Sequence, residues 1–157
     1  MTAAPEALAA ALPRAVVDRT ADGTTVLRVG LADLVATLTT LRDQLDYAAF
    51  RDLTAVDDPD RPDRFALTYL LYSMSRKEWV RVTARAGEEA PSVCAVFEAA
   101  NWYEREVFDL FGLRFSGHPD LTRLMMPDDW VGHPLRRDAP LGDEPIDFTV
   151  TRYPQEG

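Results

Sequence analysis

Three stretches of alternating side chains confine this chain to a fold built around a sheet. Phe65, Leu67, Tyr69 and Leu71 recur at every second residue, the period at which one face of a strand meets a core. Ala48 to Val56 precedes this stretch and Trp79 to Arg85 follows it, each bounded by polar, turn-rich sequence. Residues 57–63 hold two prolines and four aspartates, which disfavour helix and ladder alike and predict a loop inside the domain. Nearer the amino terminus, Ala15 to Arg19 and Thr24 to Val29 flank Asp22-Gly23, which predicts a strand pair closed by a two-residue turn.

A sheet with one apolar face needs a cover. Leu31, Leu34, Val35, Leu38, Leu41 and Leu45 recur at three- and four-residue steps, which predicts a helix of about four turns with a single apolar stripe. A shorter helix is predicted over residues 5–12. Pro91-Ser92 is read as the opening of a helix over 92–111, with Ser92 as N-cap and Val93, Val96, Phe97 and Ala100 as the buried stripe. Asn101 marks a kink or restart in it, and Gly112 suits the left-handed residue after its end. Beyond Gly112 lie six of the eleven prolines and little periodicity, the pattern of an extended tail lying on another surface. The fold class expected is α+β: a single domain, with a mixed or antiparallel sheet packed against helices. Residues 1–115 form its body and residues 116–157 a Pro-rich C-terminal docking segment of the same domain. A length of 157 residues suits one core.

The chemistry of the chain excludes several classes. A formal net charge of -9 repels nucleic-acid phosphate and anionic lipid. The one cysteine, Cys94, allows no internal disulfide and no chain-encoded iron–sulfur cluster or cysteine-rich zinc site; a small core residue is the reading. Met1 to Val17 carries Glu6 and no basic leader region, and no run of about 18 apolar residues occurs, so neither a secretory leader nor a membrane span is expected.

The densest polar segment is 101–138. It holds both histidines of the chain, each within Gly-His-Pro, at 117–119 and 132–134. Glu106 and Asp109 share a helix face, and Arg105, four residues before Asp109, is placed to pair with it. A metal bound by Glu106, Asp109, His118 and His133 is one reading, weakened by the lack of any His-Glu-x-x-His or Glu-x-x-His spacing. The competing reading is a histidine fixed in a turn by its proline and donating to a backbone carbonyl. A serine or cysteine hydrolase lacks its elbow, and acid–base work by Glu104 and Glu106 requires a cleft.

The same segment resembles the C subunit of the proton-pumping NADH:quinone oxidoreductases, respiratory complex I. The resemblance rests on Glu104-Arg105-Glu106, Asp109, Phe111-Gly112, residues 115–123 with Phe115, Gly117-His118-Pro119-Asp120-Leu121 and Arg123, then Pro127-Asp128-Asp129-Trp130 and Gly132-His133-Pro134-Leu135-Arg136-Arg137-Asp138-Ala139-Pro140. It extends more loosely over 45–100. Arg137 stands where lysine is usual and Ala139 where an aromatic is common. The resemblance implies a cofactor-free structural subunit, without a catalytic, cofactor or metal site of its own. FMN and the iron–sulfur clusters lie in partner subunits, and the chain holds the quinone-site subunit and the iron–sulfur subunits in place on the cytoplasmic side of the cell membrane, as a peripheral protein. An equivalent subunit of a membrane-bound energy-converting hydrogenase is the alternative, and a free-standing His/carboxylate metalloenzyme the remaining one. Docking to partners is assigned to Arg105, Glu106, Asp109, His118, Pro119 and Arg123, and in the tail to Trp130, His133, Pro134, Arg136, Arg137 and Asp138. Met125, Met126 and Trp130 are expected to face another protein.

Overall fold

The computed structural model describes residues 5–139. Part of the expected docking segment, residues 140–157, lies outside the described residues. A first helix, α1 (Pro5–Ala11), leads into β1 (Val16–Arg19) and β2 (Thr25–Arg28). A 3-10 turn (Leu31–Asp33) runs into α2 (Leu34–Asp43), followed by β3 (Ala49–Asp57), β4 (Phe65–Ser73) and β5 (Glu78–Ala86). The short β6 (Glu89–Pro91), α3 (Ala100–Phe111) and β7 (Arg114–Ser116) complete the elements among the described residues. The fold is α+β, as expected.

Strands β1 to β5 form one mixed sheet in the order β1-β2-β5-β4-β3. All neighbours are antiparallel except β2 and β5, which run parallel with Thr25 opposite Val80. Parallel neighbours require a crossover, and here it carries α2 and the β3–β4 hairpin. The predicted alternation is seen directly: Phe65, Leu67, Tyr69 and Leu71 are fully buried, as are Val80 and Val82 of β5. Leu34, Leu38 and Leu41 of α2 lie in the same core, at one-turn spacing.

Three expectations shift. The β1–β2 tip spans residues 21–23: the Gly23 amide donates to the Thr20 carbonyl at 2.9 Å and the Thr20 amide to the Thr24 carbonyl at 3.0 Å. Gly23, at φ 85°, is the left-handed residue that a three-residue loop of this kind needs. The helix expected from Ser92 begins at Ala100 instead. Ser92 does cap, since its Oγ accepts the Cys94 amide at 3.2 Å, but it caps a single turn in which the Phe97 amide reaches the Val93 carbonyl. The third is a second sheet that sequence reading missed. Ala90 of β6 pairs in parallel with Phe115 of β7, so β6, α3 and β7 make a compact crossover unit on which the polar segment begins. β7 ends at Ser116, one residue beyond the expected end of the body.

At β3 the register slips between Phe50 and Asp52, leaving Arg51 as a bulge. Its carbonyl accepts the Tyr103 hydroxyl of α3 at 2.9 Å. Phe50 meets Phe97 and Tyr103 at ring separations of 5.3 and 5.5 Å, which locks α3 against β3. The Tyr69 hydroxyl, in contrast, is buried without a partner among the described residues, and burial pushes its pKa up. Tyr69→Phe removes a polar group that gains nothing from folding. It is expected to leave the unfolding free energy from urea titration equal to or above that of the unaltered chain, by up to about 1 kcal/mol; a drop of similar size would mean that the hydroxyl is bonded in solution.

Candidate functional site

The amphipathic pattern of α3 turns one carboxylate into the domain. Ala100, Glu104 and Val107 are buried at helical spacing, and the Glu104 carboxyl accepts the Val93 amide and the Ser92 hydroxyl, both at 2.7 Å. The Cys94 thiol donates to the same group at 3.4 Å. Burial raises the pKa of Glu104 despite the hydrogen bonds that oppose it, and burial pushes the Cys94 thiol up to about 11. This side chain caps the start of the 92–97 turn from the neighbouring helix.

His118 lies beside this group, its Nε2 4.0 Å from Glu104 Oε2 and its side chain fully enclosed. Nδ1 accepts the Asp120 amide at 3.0 Å, so the ring proton sits on Nε2 and is donated to the Asn101 carbonyl at 3.2 Å. Cys94, Glu104 and His118 place one donor atom each within 4.8 Å of one another. They do not suit a metal. A neutral imidazole that binds a cation through Nε2 carries its proton on Nδ1, where the Asp120 amide already points.

Asp109, in the last turn of α3, is the second inward carboxylate and has no exposed surface. Its Oδ2 accepts three consecutive backbone amides, from Leu124, Met125 and Met126, at 3.0, 2.7 and 2.8 Å. Its Oδ1 takes Arg123 Nη1 at 2.7 Å. Burial raises the pKa of this group, but the three amides and the guanidinium outweigh it and the net direction is down. Arg123 also donates to the Gly132 carbonyl at 3.1 Å, joining the two halves of the tail.

The pairing expected between Arg105 and Asp109 does not form. Arg105 donates to the Thr122 and Arg123 carbonyls at 3.1 and 3.0 Å, and its guanidinium lies 5.1 Å from the centre of the Trp102 ring. The reason is competition, since amides that follow β7 already fill the carboxylate. Among the described residues Glu106 takes no part in this network, so of the two acids it is Asp109 that orients the loop.

His133 seals the helix end. Its Nδ1 donates to the Asp109 carbonyl at 2.8 Å, and its ring lies against Gly112 so closely that an added Cβ would sit 2.5 Å from Cδ2. Gly112 is at φ 75° and its amide closes on the Phe108 carbonyl. The glycine is thus required twice, by its left-handed backbone and by the imidazole above it. Leu135 donates its amide to the Leu110 carbonyl at 3.0 Å.

A fourth attachment lies at the far end of the sheet. Asp57, 3% exposed, continues the buried series Leu53, Ala55 on β3. It is held by both Arg64 Nε and Nη2 and accepts the Arg137 amide at 2.7 Å. Arg64 also donates to Asp138 at 2.9 Å, and the Arg136 guanidinium lies 5.7 Å from the centre of the Phe65 ring. The hydrogen bond from Arg64 lowers the pKa of Asp57 and of Asp138.

The metal set Glu106, Asp109, His118 and His133 is therefore not assembled among the described residues. His118 and His133 each fix a turn by donating to a carbonyl, which is the competing reading. Within the described part of the tail, side chains from β3, α3 and the tail itself bond backbone groups that lack a ladder. The expected outward residues divide. Met125 is 63% exposed, Pro119 is exposed, and Met126, Trp130 and Pro134 are half-buried; Val131, not among those expected, is 93% exposed. Sequence alone gives Asp57 and Arg64 no role and Glu104 only an acid–base one, although each acid stands in an inward series of its own element.

Comparison with known proteins identifies the family. The profile described as "Respiratory-chain NADH dehydrogenase, 30 Kd subunit" matches residues 27–145, most of the chain. The chain belongs to this family. The C subunit of NADH-quinone oxidoreductase from Geotalea uraniireducens is 46% identical over 112 residues, covering 69% of this chain and 68% of that protein. In Methylococcus capsulatus a C/D subunit of NADH-quinone oxidoreductase is 47% identical over 133 residues, 77% of this chain and only 23% of the longer protein. Among solved structures, the trypsin-resistant fragment of Nqo5 superposes with a TM-score of 0.65 at 26% identity, over 74% of this chain and 95% of the fragment. The complex I 30 Kd subunit family thus accounts for both the α+β body and the polar segment.

The two inward acids of α3 carry opposite pH signatures. The native pKa of Asp109 is lowered, so its contribution to stability is present above the ordinary aspartate range and is lost as pH falls through the native value. The native pKa of Glu104 is raised, so stability declines as pH rises from the ordinary glutamate range towards the native value. Asp109→Asn is expected to cost about 1.5–3 kcal/mol at neutral pH, the range for hydrogen bonds to a charged group, and to flatten the acid limb of the stability curve. Glu104→Gln flattens the opposite limb. Urea midpoints at a series of pH values measure both, and identical curves for the two variants would contradict the assignment.

Proposed function

We propose that this chain is a non-catalytic, structural subunit of the peripheral arm of a proton-translocating NADH:quinone oxidoreductase, and that it positions the quinone-site and iron–sulfur subunits for electron transfer from NADH to quinone. The observation that carries this reading is the way the polar segment is used. Asp109, Arg123, Arg105 and both histidines fix the tail to the body, while four large apolar side chains of the segment are left exposed. Trp102, Met125, Val131 and Leu135 are 60, 63, 93 and 51% exposed, on the tail and the adjoining surface of α3. Exposed aromatic and sulfur-bearing side chains in a rigid setting are what permanent interfaces use.

Pre-ordering matters to such a role. A tail already bonded to Asp109, Asp57 and α3 loses little conformational freedom when a partner covers it. Distances between redox centres in neighbouring subunits then inherit the rigidity of this domain. In this reading FMN and the iron–sulfur clusters belong to partner subunits, and the chain reaches the cytoplasmic face of the membrane only within the assembly. Among the described residues no helix is long and apolar enough to cross a membrane. The family identity of 46% with an NADH-quinone oxidoreductase subunit favours this reading over a hydrogenase-type assembly.

Met125→Asp and Val131→Asp test it. Both residues are exposed, so the isolated chain is expected to melt within about 2 °C of the unaltered one. Recovery of the tagged peripheral arm, measured by native mass with its flavin and iron content, is expected to fall about five-fold or more as a charge is forced into an apolar contact. Full recovery in both variants would refute the docking reading.

A further inference from the structure

The two histidines of the tail do not hold their protons alike. His133 donates from Nδ1 to the Asp109 carbonyl at 2.8 Å, so a second proton taken up at its Nε2 leaves that bond in place. His118 uses its nitrogens in opposite senses: Nδ1 accepts the Asp120 amide at 3.0 Å, and Nε2 donates to the Asn101 carbonyl at 3.2 Å. An imidazolium has two donors and no acceptor. A proton on Nδ1 of His118 would face the Asp120 N–H, so only the neutral ring fits the turn.

That turn is a short span between two fixed points. It leaves β7 at Ser116 and reaches Arg123, which is held on Asp109. Gly117 is at φ 81°, the His118 amide donates to the Phe115 carbonyl at 3.3 Å, and the Thr122 amide donates to the Asp120 carbonyl at 3.1 Å. The Asp120 amide, bonded to the side chain two residues back, closes the span as an Asn or Asp side chain closes an Asx turn. Beneath it the His118 side chain has no exposed surface, and it lies within 4.8 Å of both the Cys94 thiol and the Glu104 carboxyl.

The charged and titratable groups packed around the ring, among the described residues, do not relieve the conflict at Nδ1. Glu104 of α3 stands 4.0 Å from Nε2; it favours a cation on the ring but sits at the nitrogen that already donates. Cys94, from the 92–97 turn, is itself bonded to Glu104. Arg105 of α3, which binds the Thr122 carbonyl, opposes a further positive charge. On the turn itself Asp120 is exposed to solvent.

We infer that the His118–Asp120 turn is an acid-operated latch: proton uptake at His118 Nδ1 opens residues 117–122 and uncovers the Cys94 thiol, while the anchor at Asp109 stays closed. The proton passes from solvent to the Nδ1 lone pair, and the bond that breaks is the one from the Asp120 amide. Closure is present while the ring is neutral and lost when it is charged. Asp109 keeps its three amides and its guanidinium, because these hold its pKa below the ordinary value. The latch governs the shape of the tail whatever partner covers it.

The complete chain is compared between about pH 8 and about pH 5, the interval in which histidine is the side chain that ordinarily changes charge. Exchange of the Asp120 amide, corrected for its intrinsic dependence on pH, is expected to rise about ten-fold or more towards acid, while the amides of Leu124, Met125 and Met126 stay protected. His118→Asn keeps an acceptor for the Asp120 amide but takes up no proton. In that variant the rise is expected to vanish, and at about pH 5 its Cys94 is expected to react about ten-fold or more slowly with 4,4′-dithiodipyridine than in the unaltered chain. The ring nitrogen resonances of the unaltered chain make the assignment without a variant, since the rise must follow protonation of His118 and not of His133. Asp120 exchange that does not rise by pH 5 would overturn the inference, as would an equal rise in His118→Asn or one shared by Leu124, Met125 and Met126.

Discussion

The carboxylate of Asp109 determines where the chain goes after its last helix. Three consecutive amides and one guanidinium converge on it inside the domain. A buried carboxylate is costly unless its lone pairs are filled. Each unpaired amide of an irregular loop is costly too. Each problem is the solution of the other, and the loop at 123–126 has one low-energy path over the end of α3. Through residue 137 the path continues from that anchor: Arg123 reaches on to Gly132, His133 folds back onto the Asp109 carbonyl and Gly112, and the Arg137 amide arrives at Asp57.

In the dense polar segment both histidines and both inward acids of α3 are bonded within the chain. His118 and His133 present their protons to carbonyls, and Glu104 and Asp109 are filled by hydrogen bonds from their own chain. A site built for proton transfer or metal binding keeps a lone pair or a proton available to a substrate, whereas these groups are bonded within the chain. The membership of the chain in the 30 Kd subunit family of respiratory NADH dehydrogenases fits a molecule whose polar chemistry has been turned inward to make a fixed shape.

Much of this was legible in the sequence wherever one period dominated. Phe65 to Leu71 alternates over a strand buried on one face, and Leu34, Leu38 and Leu41 keep helical spacing on α2. The start of α3 was misread because Val93, Val96, Phe97 and Ala100 continue the same spacing through a turn that is not helix. The Glu104 carboxyl closes that turn from the next element, and no local pattern reveals a closure across eleven residues. Asp57 and Glu104 could have been found, because each falls on the buried phase of its own strand or helix, where an acid is an anomaly that asks for a partner. The contact of His133 with Gly112 could not. It joins positions 21 residues apart through a loop without periodicity, and only the path fixed by Asp109 brings them together.

The account stands on the tail being held by the body before any partner arrives. Hydrogen–deuterium exchange of the isolated chain measures this at the amides of Leu124, Met125 and Met126. Exchange about a hundred-fold or more slower than an open chain, abolished in Asp109→Asn while the amides of β4 and β5 stay protected, is the predicted result, since local opening then requires breaking bonds to a buried charge. Exchange of those three amides at the open-chain rate in the unaltered protein would contradict it, and would mean that the tail takes its shape only from its partners.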